Sequence, residues 1–318
     1  MEILFAIIIL ILSFALIIWG GDVFVNSSVA IAKKLKISTS IIGATLVSVG
    51  TTLPEILVTI FSITNNAGDI ALGNALGSVV FNCCVIGGIL LCFTTILIKN
   101  GWHLDYWLLI FALISTLVYG TGGKIGYVGS ICLLMMFFVF IIINIYNAKS
   151  KNEQENLNSA PHTIWFHFLI FILASAMVGF GAYFLVEKAK FLARMAGFSE
   201  LFIGLTIIAF GTSLPELITT INAIRKNEPG LGLGNIVGAN IINSTLLVGL
   251  TGVCSNGIIV GKDTLLVTLP VAIISNLILL LPSLIKKRTY KWQGFALMIF
   301  YALYYAFLIF SSLGLISV

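Results

Sequence analysis

"GTTLPE", Gly50 to Glu55, interrupts an apolar run, with "IIGATLVSV" before it and "ILVTIFS" behind it. "GTSLPE", Gly211 to Glu216, does the same behind "GLTIIAF". Pro54 and Pro215 have no backbone N–H, and each ring clashes with the carbonyl four residues back, at Gly50 or Gly211. Glycine loosens the same turn. Each motif therefore predicts an interrupted helix, with the carbonyls around Ser48–Thr52 and Ala209–Ser213 freed from the helical ladder. Hydroxyls of Thr51, Thr52, Thr212 and Ser213 crowd the same place, and a carboxylate follows, Glu55 or Glu216.

The surroundings say where such a break is tolerable. Of 318 residues, 59% are hydrophobic and 9% charged, and mean hydropathy is +1.12. This is the balance of a polytopic membrane protein, in which a span needs about 20 apolar residues. Ten stretches qualify: about 3–24, 37–65, 69–98, 104–121, 125–147, 163–186, 200–225, 230–256, 264–284 and 292–315. They run without ten-residue alternation, so the expected fold class is all-α rather than a β-barrel. The first stretch lacks a basic n-region and carries Glu2, so it reads as a retained helix. Inside a bilayer, unwound backbone is tolerated only where it faces protein or a watery cavity.

The chain repeats itself. From Thr51 to Thr212 is 161 residues, and the same offset, without gaps, carries Gly43 to Gly204, Thr45 to Thr206 and Thr59 to Thr220. It carries "LGNALGSVVFN", Leu72 to Asn82, onto "LGNIVGANIIN", Leu233 to Asn243, and upstream Gly20 onto Gly181 and Val25 onto Val186. Each half holds five expected helices. Five is odd, so the second half starts on the opposite side of the membrane: the expectation is ten transmembrane helices in two inverted five-helix repeats. Residues 1–147 form the first repeat, 148–162 a polar cytoplasmic linker and 163–318 the second repeat. Inverted repeats with interrupted helices place an ion site at the repeat interface near the midplane.

Of the 17 basic residues, twelve fall in odd-numbered connections between spans and five in even-numbered ones. The positive-inside rule then puts the odd connections in the cytoplasm and both termini outside a cell membrane. Lys188, Lys190 and Arg194 run against it, on the expected outer side. The net charge of +5 lies in loops and sets orientation, not nucleic-acid binding. The five cysteines lack metal-ligand spacing and read as small apolar residues.

Carbonyls, hydroxyls and carboxylates are hard oxygen donors, suited to Ca²⁺, Na⁺ or Mg²⁺. An ionised carboxylate at mid-membrane costs about 2.5–3.5 kcal/mol on insertion scales. Glu55 and Glu216 facing each other would repel, and a divalent cation between them removes both problems. The glycines of "GNALGS" and "GNIVGA" suit close helix packing. Asn82 lies four residues past Ser78, and Asn243 four past Ala239, on the same helix faces. Both asparagines are candidate oxygen donors; Asn74 and Asn235 read as supports for the interrupted helices.

At these residues the sequence resembles the cation/calcium exchanger superfamily, and within it the prokaryotic Na⁺/Ca²⁺ exchangers: "GATLVSVGTTLPE", "GNALGSVVFN", "GLTIIAFGTSLPE" and "GNIVGANIIN" look like its two α-repeats. The resemblance spans essentially the whole chain. It implies an antiporter, not an enzyme, with no cofactor, exchanging about three Na⁺ for one Ca²⁺ by alternating access. It implies that the first and sixth helices slide across a fixed core. It makes Glu55 and Glu216 the Ca²⁺-binding carboxylates, which also contact Na⁺. Thr51 and Thr212 become backbone-carbonyl ligands, Thr52 and Ser213 the adjacent hydroxyls, Ser48 and Ala209 positions acting through their carbonyls, and Ser78 a side-chain Na⁺ ligand. Ala239 departs from the pattern, since related archaeal exchangers carry serine there. Asn243 stands where some relatives carry aspartate, which argues against K⁺ dependence. Two carboxylates give a site charge of −2; three Na⁺ would leave +1 and make the cycle electrogenic.

The nearest alternative is a H⁺/Ca²⁺ antiporter, whose members carry extra acidic or histidine residues in the second segment of each repeat; only Asn82 and Asn243 stand there. A cation channel is the alternative from another class. No Walker motif or metalloprotease motif is present. The expected partners are Ca²⁺, Na⁺ and the lipid bilayer, with the chain a monomer.

Overall fold

A computed structural model of the chain describes residues 2–34, 48–97, 103–149, 164–225, 227 and 229–316. The expected linker falls almost wholly on residues 150–163, and Gly43 and Thr45 on 35–47; both lie outside the described residues. Twelve helical elements follow in chain order: α1 Glu2–Lys34, α2 Ser48–Thr51, α3 Leu53–Thr64, α4 Gly68–Phe93, α5 His103–Gly120, α6 Tyr127–Lys149, α7 Ile164–Ala196, α8 Glu200–Thr212, α9 Leu214–Arg225, α10 Pro229–Cys254, α11 Thr264–Lys286 and α12 Lys291–Ser312.

Among the described residues, seven helices are long and apolar enough to cross a membrane, and the bent pair α8–α9 makes an eighth. α3 and the Leu104–Gly120 part of α5 are apolar but shorter. The multi-pass, all-α character expected from composition is thus present. Two expected spans are longer than their apolar cores. α1 and α7 each run 33 residues, because Lys33, Lys34, Lys188 and Lys190 continue the helix beyond the point where hydropathy falls away. Lys188 and Lys190, expected in a connection, are therefore helical.

The breaks are tighter than the motif suggested. Only Thr52 leaves the helical path between α2 and α3, at φ −82°, ψ 0°, and only Ser213 between α8 and α9, at φ −85°, ψ 5°. Each proline is the second residue of the helix that follows, where its missing N–H is one of those without an intrahelical partner in any case. The axis bends 40° across the α8–α9 break. α3 ends at Thr64 with Asn65 as its cap, followed by Asn66 at φ +54°, a left-handed position that asparagine tolerates.

α4 and α10 form the centre, with 78% and 83% of their apolar windows buried against 22% for α1 and α12. Such a helix shows no exposed polar face because it meets protein on every side, and its few polar residues are buried too. Gly73 and Gly204 let α4 and α8 touch: a Cβ on Gly73 would stand 2.7 Å from the Leu201 carbonyl oxygen, and one on Gly204 2.8 Å from that of Ile70. Two small β contacts join the halves. Lys124 and Ile125 pair antiparallel with Ile259 and Ile258, and Leu97 bridges to Arg288. Cys83 and Cys84 are buried as expected, whereas Cys254 at the end of α10 is exposed.

α1 and α7 lie side by side, and their contact is reciprocal. A Cβ on Gly20 would stand 3.0 Å from Val178 Cγ2, and one on Gly181 2.9 Å from Ile17 Cγ1. Ile17 and Val178 are also 161 residues apart. When residue i touches j′ and i′ touches j, the two units are related by a two-fold axis. Gly21, the next residue along α1, is placed so that a Cβ there would meet both Pro215 Cγ, at 3.5 Å, and Pro54 Cγ, at 4.0 Å.

Candidate cation site between the two helix breaks

The same reciprocity builds the site. Ser213 Oγ donates to Glu55 Oε1 at 3.1 Å, and Thr52 Oγ1 donates to Glu216 Oε1 at 3.3 Å. The break of each half therefore holds the carboxylate of the other. A second pair of bonds supports the first. Thr51 Oγ1 donates to Asn235 Oδ1 at 3.0 Å, and Thr212 Oγ1 to Asn74 Oδ1 at 3.1 Å. Asn74 Nδ2 also reaches the Glu55 carbonyl at 3.2 Å and Thr59 Oγ1 at 3.4 Å.

Ser48, Thr51, Thr52, Glu55, Asn74, Ser78, Asn82, Thr212, Ser213, Glu216, Asn235 and Asn243 are all 0% exposed. Buried polar atoms are nearly always hydrogen-bonded. Here several are not: among the described residues, Glu55 Oε2, Glu216 Oε2, Ser78 Oγ, and both amide atoms of Asn82 and of Asn243 have no hydrogen-bond partner. Leaving so many polar atoms buried and unpaired costs about 1–3 kcal/mol each. The oxygens among them are hard donors of the kind that coordinate cations. No cluster of three or more His, Cys, Asp or Glu side chains exists among the described residues, so the set is two carboxylates with neutral oxygens. That chemistry favours hard cations over soft metals.

The helices deform where these donors stand. π turns span Asn82–Ile86 in α4 and Asn243–Leu247 in α10, each beginning at the asparagine, and another spans Gly204–Ile208 just before the second break. Single π turns inside α-helices recur at functional sites.

Two sequence expectations change. The carbonyls of Ser48 and Ala209 are not released: each accepts a backbone N–H, from Thr52 at 2.9 Å and from Ser213 at 3.2 Å. One residue's departure from helical dihedrals is too little to break the i→i+4 bond that spans it. The carbonyls of Gly50 and Gly211 do face a proline N that cannot donate. The reach of Asn74 and Asn235 was also unforeseen. Each supports the break of the opposite half, a fact the offset of 161 could not reveal because it says which residues correspond, not which ones meet.

A broken-helix site of buried oxygen donors, shared by two similar halves of one apolar chain, defines the class: an ion-handling protein of the membrane. The chain belongs to the sodium/calcium exchanger protein family, whose model matches residues 5–146 and 166–310. It is 31% identical over 295 residues to a protein of Methanocaldococcus jannaschii described as an uncharacterized membrane protein, covering 92% of this chain and 93% of that one. It is 28% identical to the sodium/calcium exchanger MaX1 of Methanosarcina acetivorans, covering 92% and 95%. A solved structure of the sodium-calcium exchanger NCX_Mj, soaked with Na⁺ and Sr²⁺, superposes with a TM-score of 0.70 at 28% identity, covering 96% of this chain and 99% of that one. Members are transporters, not enzymes, and the chain is a multi-pass membrane cation/Ca²⁺ antiporter.

Proposed function

We propose that the chain exchanges Na⁺ for Ca²⁺ by alternating access through one central site. The observation that carries this reading is the set of fully buried, unpartnered oxygens on Glu55, Glu216, Ser78, Asn82 and Asn243. Glu55 and Glu216 hold Ca²⁺ between them, and their combined charge of −2 matches it. Thr51 and Thr212 have their hydroxyls committed to Asn235 and Asn74, which leaves their backbone carbonyls for cations. Thr52 and Ser213 hold the carboxylates in place through their hydroxyls. Ser78, Asn82 and Asn243 supply neutral oxygens suited to Na⁺. The Ser48 and Ala209 carbonyls each accept a backbone N–H and, at longer range, the hydroxyl of Thr51 or Thr212, at 3.3 and 3.4 Å, so they turn to a cation only if those longer bonds give way.

Access alternates when α1 and α7 slide as a pair over α3 and α9, turning the site to one side and then the other. Their length, their reciprocal packing and the seat of Gly21 on both prolines support that motion. The arrangement in the membrane is ten spans in two inverted repeats, residues 1–147 and 163–318, with the linker cytoplasmic and both termini outside.

Na⁺ is preferred over H⁺ as the counter-ion because no histidine or third carboxylate joins the cluster among the described residues. The test is Ca²⁺ uptake into Na⁺-loaded proteoliposomes with the potential clamped at zero. Uptake driven by an outward Na⁺ gradient and unaffected by a pH gradient is the expected outcome. Uptake driven by a pH gradient alone would transfer the coupling to protons carried by Glu55 and Glu216.

A further inference from the structure

The two halves correspond residue for residue, yet the coverings over their breaks differ. Over the first break, α7 lies on α3. Lys190 Nζ donates to the Asn65 carbonyl at 2.8 Å, and Asn65 caps the C-terminus of α3. The last carbonyls of a helix lack an intrahelical N–H, and a cation there also meets the negative end of the helix dipole. Two turns back along α7, Tyr183 meets Phe61 edge-on, with ring centroids 5.7 Å apart. Val58, Ile70, Leu185, Val186 and Ala189 join one apolar cluster alongside, none more than 1% exposed. Val58 stands one turn past Glu55 and Ile70 one turn before Asn74, so this dry cluster covers the site from the α3 end.

The second half carries no such covering among the described residues. At the offset of 161, Lys190 corresponds to Val29, Tyr183 to Asp22, Phe61 to Asn222 and Val58 to Thr219. A valine has no hydrogen-bond donor in its side chain, and two polar residues replace the ring pair. Asp22 and Asn222 are exposed and Thr219 is half-buried. Leu231, the mate of the fully buried Ile70, is 41% exposed.

The contrast continues one layer inward. Asn74 Nδ2 reaches the Glu55 carbonyl at 3.2 Å and Thr59 Oγ1 at 3.4 Å. The corresponding atoms of the second half, Asn235 Nδ2 and Thr220 Oγ1, are buried with no hydrogen-bond partner among the described residues. The support that ties α4 to α3 is made, and its counterpart between α10 and α9 is not.

The geometry points to Lys190 as a positioning residue that latches α7 on α3 over the first break, with no equivalent in the second half, so that the site opens more readily past α9 than past α3. This rests on the exchange reading above and on the membrane arrangement given with it, in which the α3 end faces outward. The outer gate is then the latched one, and Lys190 must release Asn65 before α7 can slide.

The test uses the full chain in right-side-out and everted membrane vesicles, which present opposite faces to added Ca²⁺. A site accessible in only a fraction of molecules shows an apparent affinity lowered by that fraction. Lys190→Met keeps the length of the side chain and removes the donor. It is expected to strengthen apparent Ca²⁺ affinity at the outer face and weaken it at the cytoplasmic face. The ratio of the two should change about fivefold, the scale of one charge at a helix C-terminus. Lys190→Arg, which can donate to the same carbonyl, is expected to keep the wild-type ratio. Lys188→Met is the control, since that amine pairs with Glu187 at 2.7 Å instead, and the ratio should not move. Hydrogen–deuterium exchange of the purified protein reads the same event without transport: Lys190→Met is expected to raise exchange over residues 56–64 and not over 217–225. An unchanged ratio, affinity lost at both faces together, or exchange rising equally in both segments overturns the latch. If Lys190→Met cannot be purified folded, Tyr183→Leu, which removes the ring beside Phe61, is read in its place with the same expected directions. Absence of Na⁺-driven Ca²⁺ uptake in the wild type overturns the exchange reading instead, and the deuterium exchange then still decides the latch.

Discussion

At the scale of the residue, Glu55 and Glu216 are one arrangement made twice. Each has one oxygen held by a hydroxyl from the opposite break and one oxygen unpartnered. Glutamine has nearly the same shape and still accepts that hydroxyl, so Glu55→Gln and Glu216→Gln remove charge with little change in packing. Each is expected to lower Ca²⁺ uptake at least about 100-fold, or about 3 kcal/mol, and by similar amounts. Near-normal uptake in either variant would remove that carboxylate from the site. These two residues were legible in the sequence because a carboxylate next to a proline inside an apolar run is conspicuous, and twice at one offset more so. That Asn74 and Asn235 support the breaks was legible, but not that each meets the break of the opposite half, because a hydrogen bond between residues 138 or 184 positions apart leaves no periodic trace.

At the scale of the element, helix ends and helix contacts are set by different forces. Hydropathy located the apolar cores well but missed the polar last turns of α1 and α7, where hydrogen bonding continues after apolar burial stops. The width of the breaks was overstated for a related reason. A proline near the start of a new helix disturbs little behind it. The crossing of α4 on α8 is decided by three glycines, Gly73, Gly77 and Gly204. Gly204→Val would push its Cβ to 2.8 Å from one backbone oxygen and 3.0 Å from Gly73 Cα, and backbone atoms cannot rotate aside. The expected loss is at least about 1–3 kcal/mol, seen as a lowered melting temperature in detergent. Gly179→Val on α7, where nothing lies within 4 Å, is the control and is expected to melt like the wild type. A Gly204→Val protein as stable as its parent would refute the close crossing.

At the scale of the whole molecule, the duplication was plain in the sequence, since an ungapped offset of 161 is a property of the letters alone. The way the halves interlock was not. Every principal bond of the site joins one half to the other: Thr52 to Glu216, Ser213 to Glu55, Thr51 to Asn235, Thr212 to Asn74. Neither half can satisfy its own buried groups, and both carry what the other lacks. Two separate polypeptides, cut between Lys149 and Ile164, are therefore expected to be insoluble or degraded when made singly and to recover Ca²⁺ uptake when made together. Recovery by either fragment alone would contradict this. The interlock also reads as a record of descent. A gene half this length, encoding a chain that inserts in both orientations and pairs with its own inverted copy, builds such a site before any joining of the two copies.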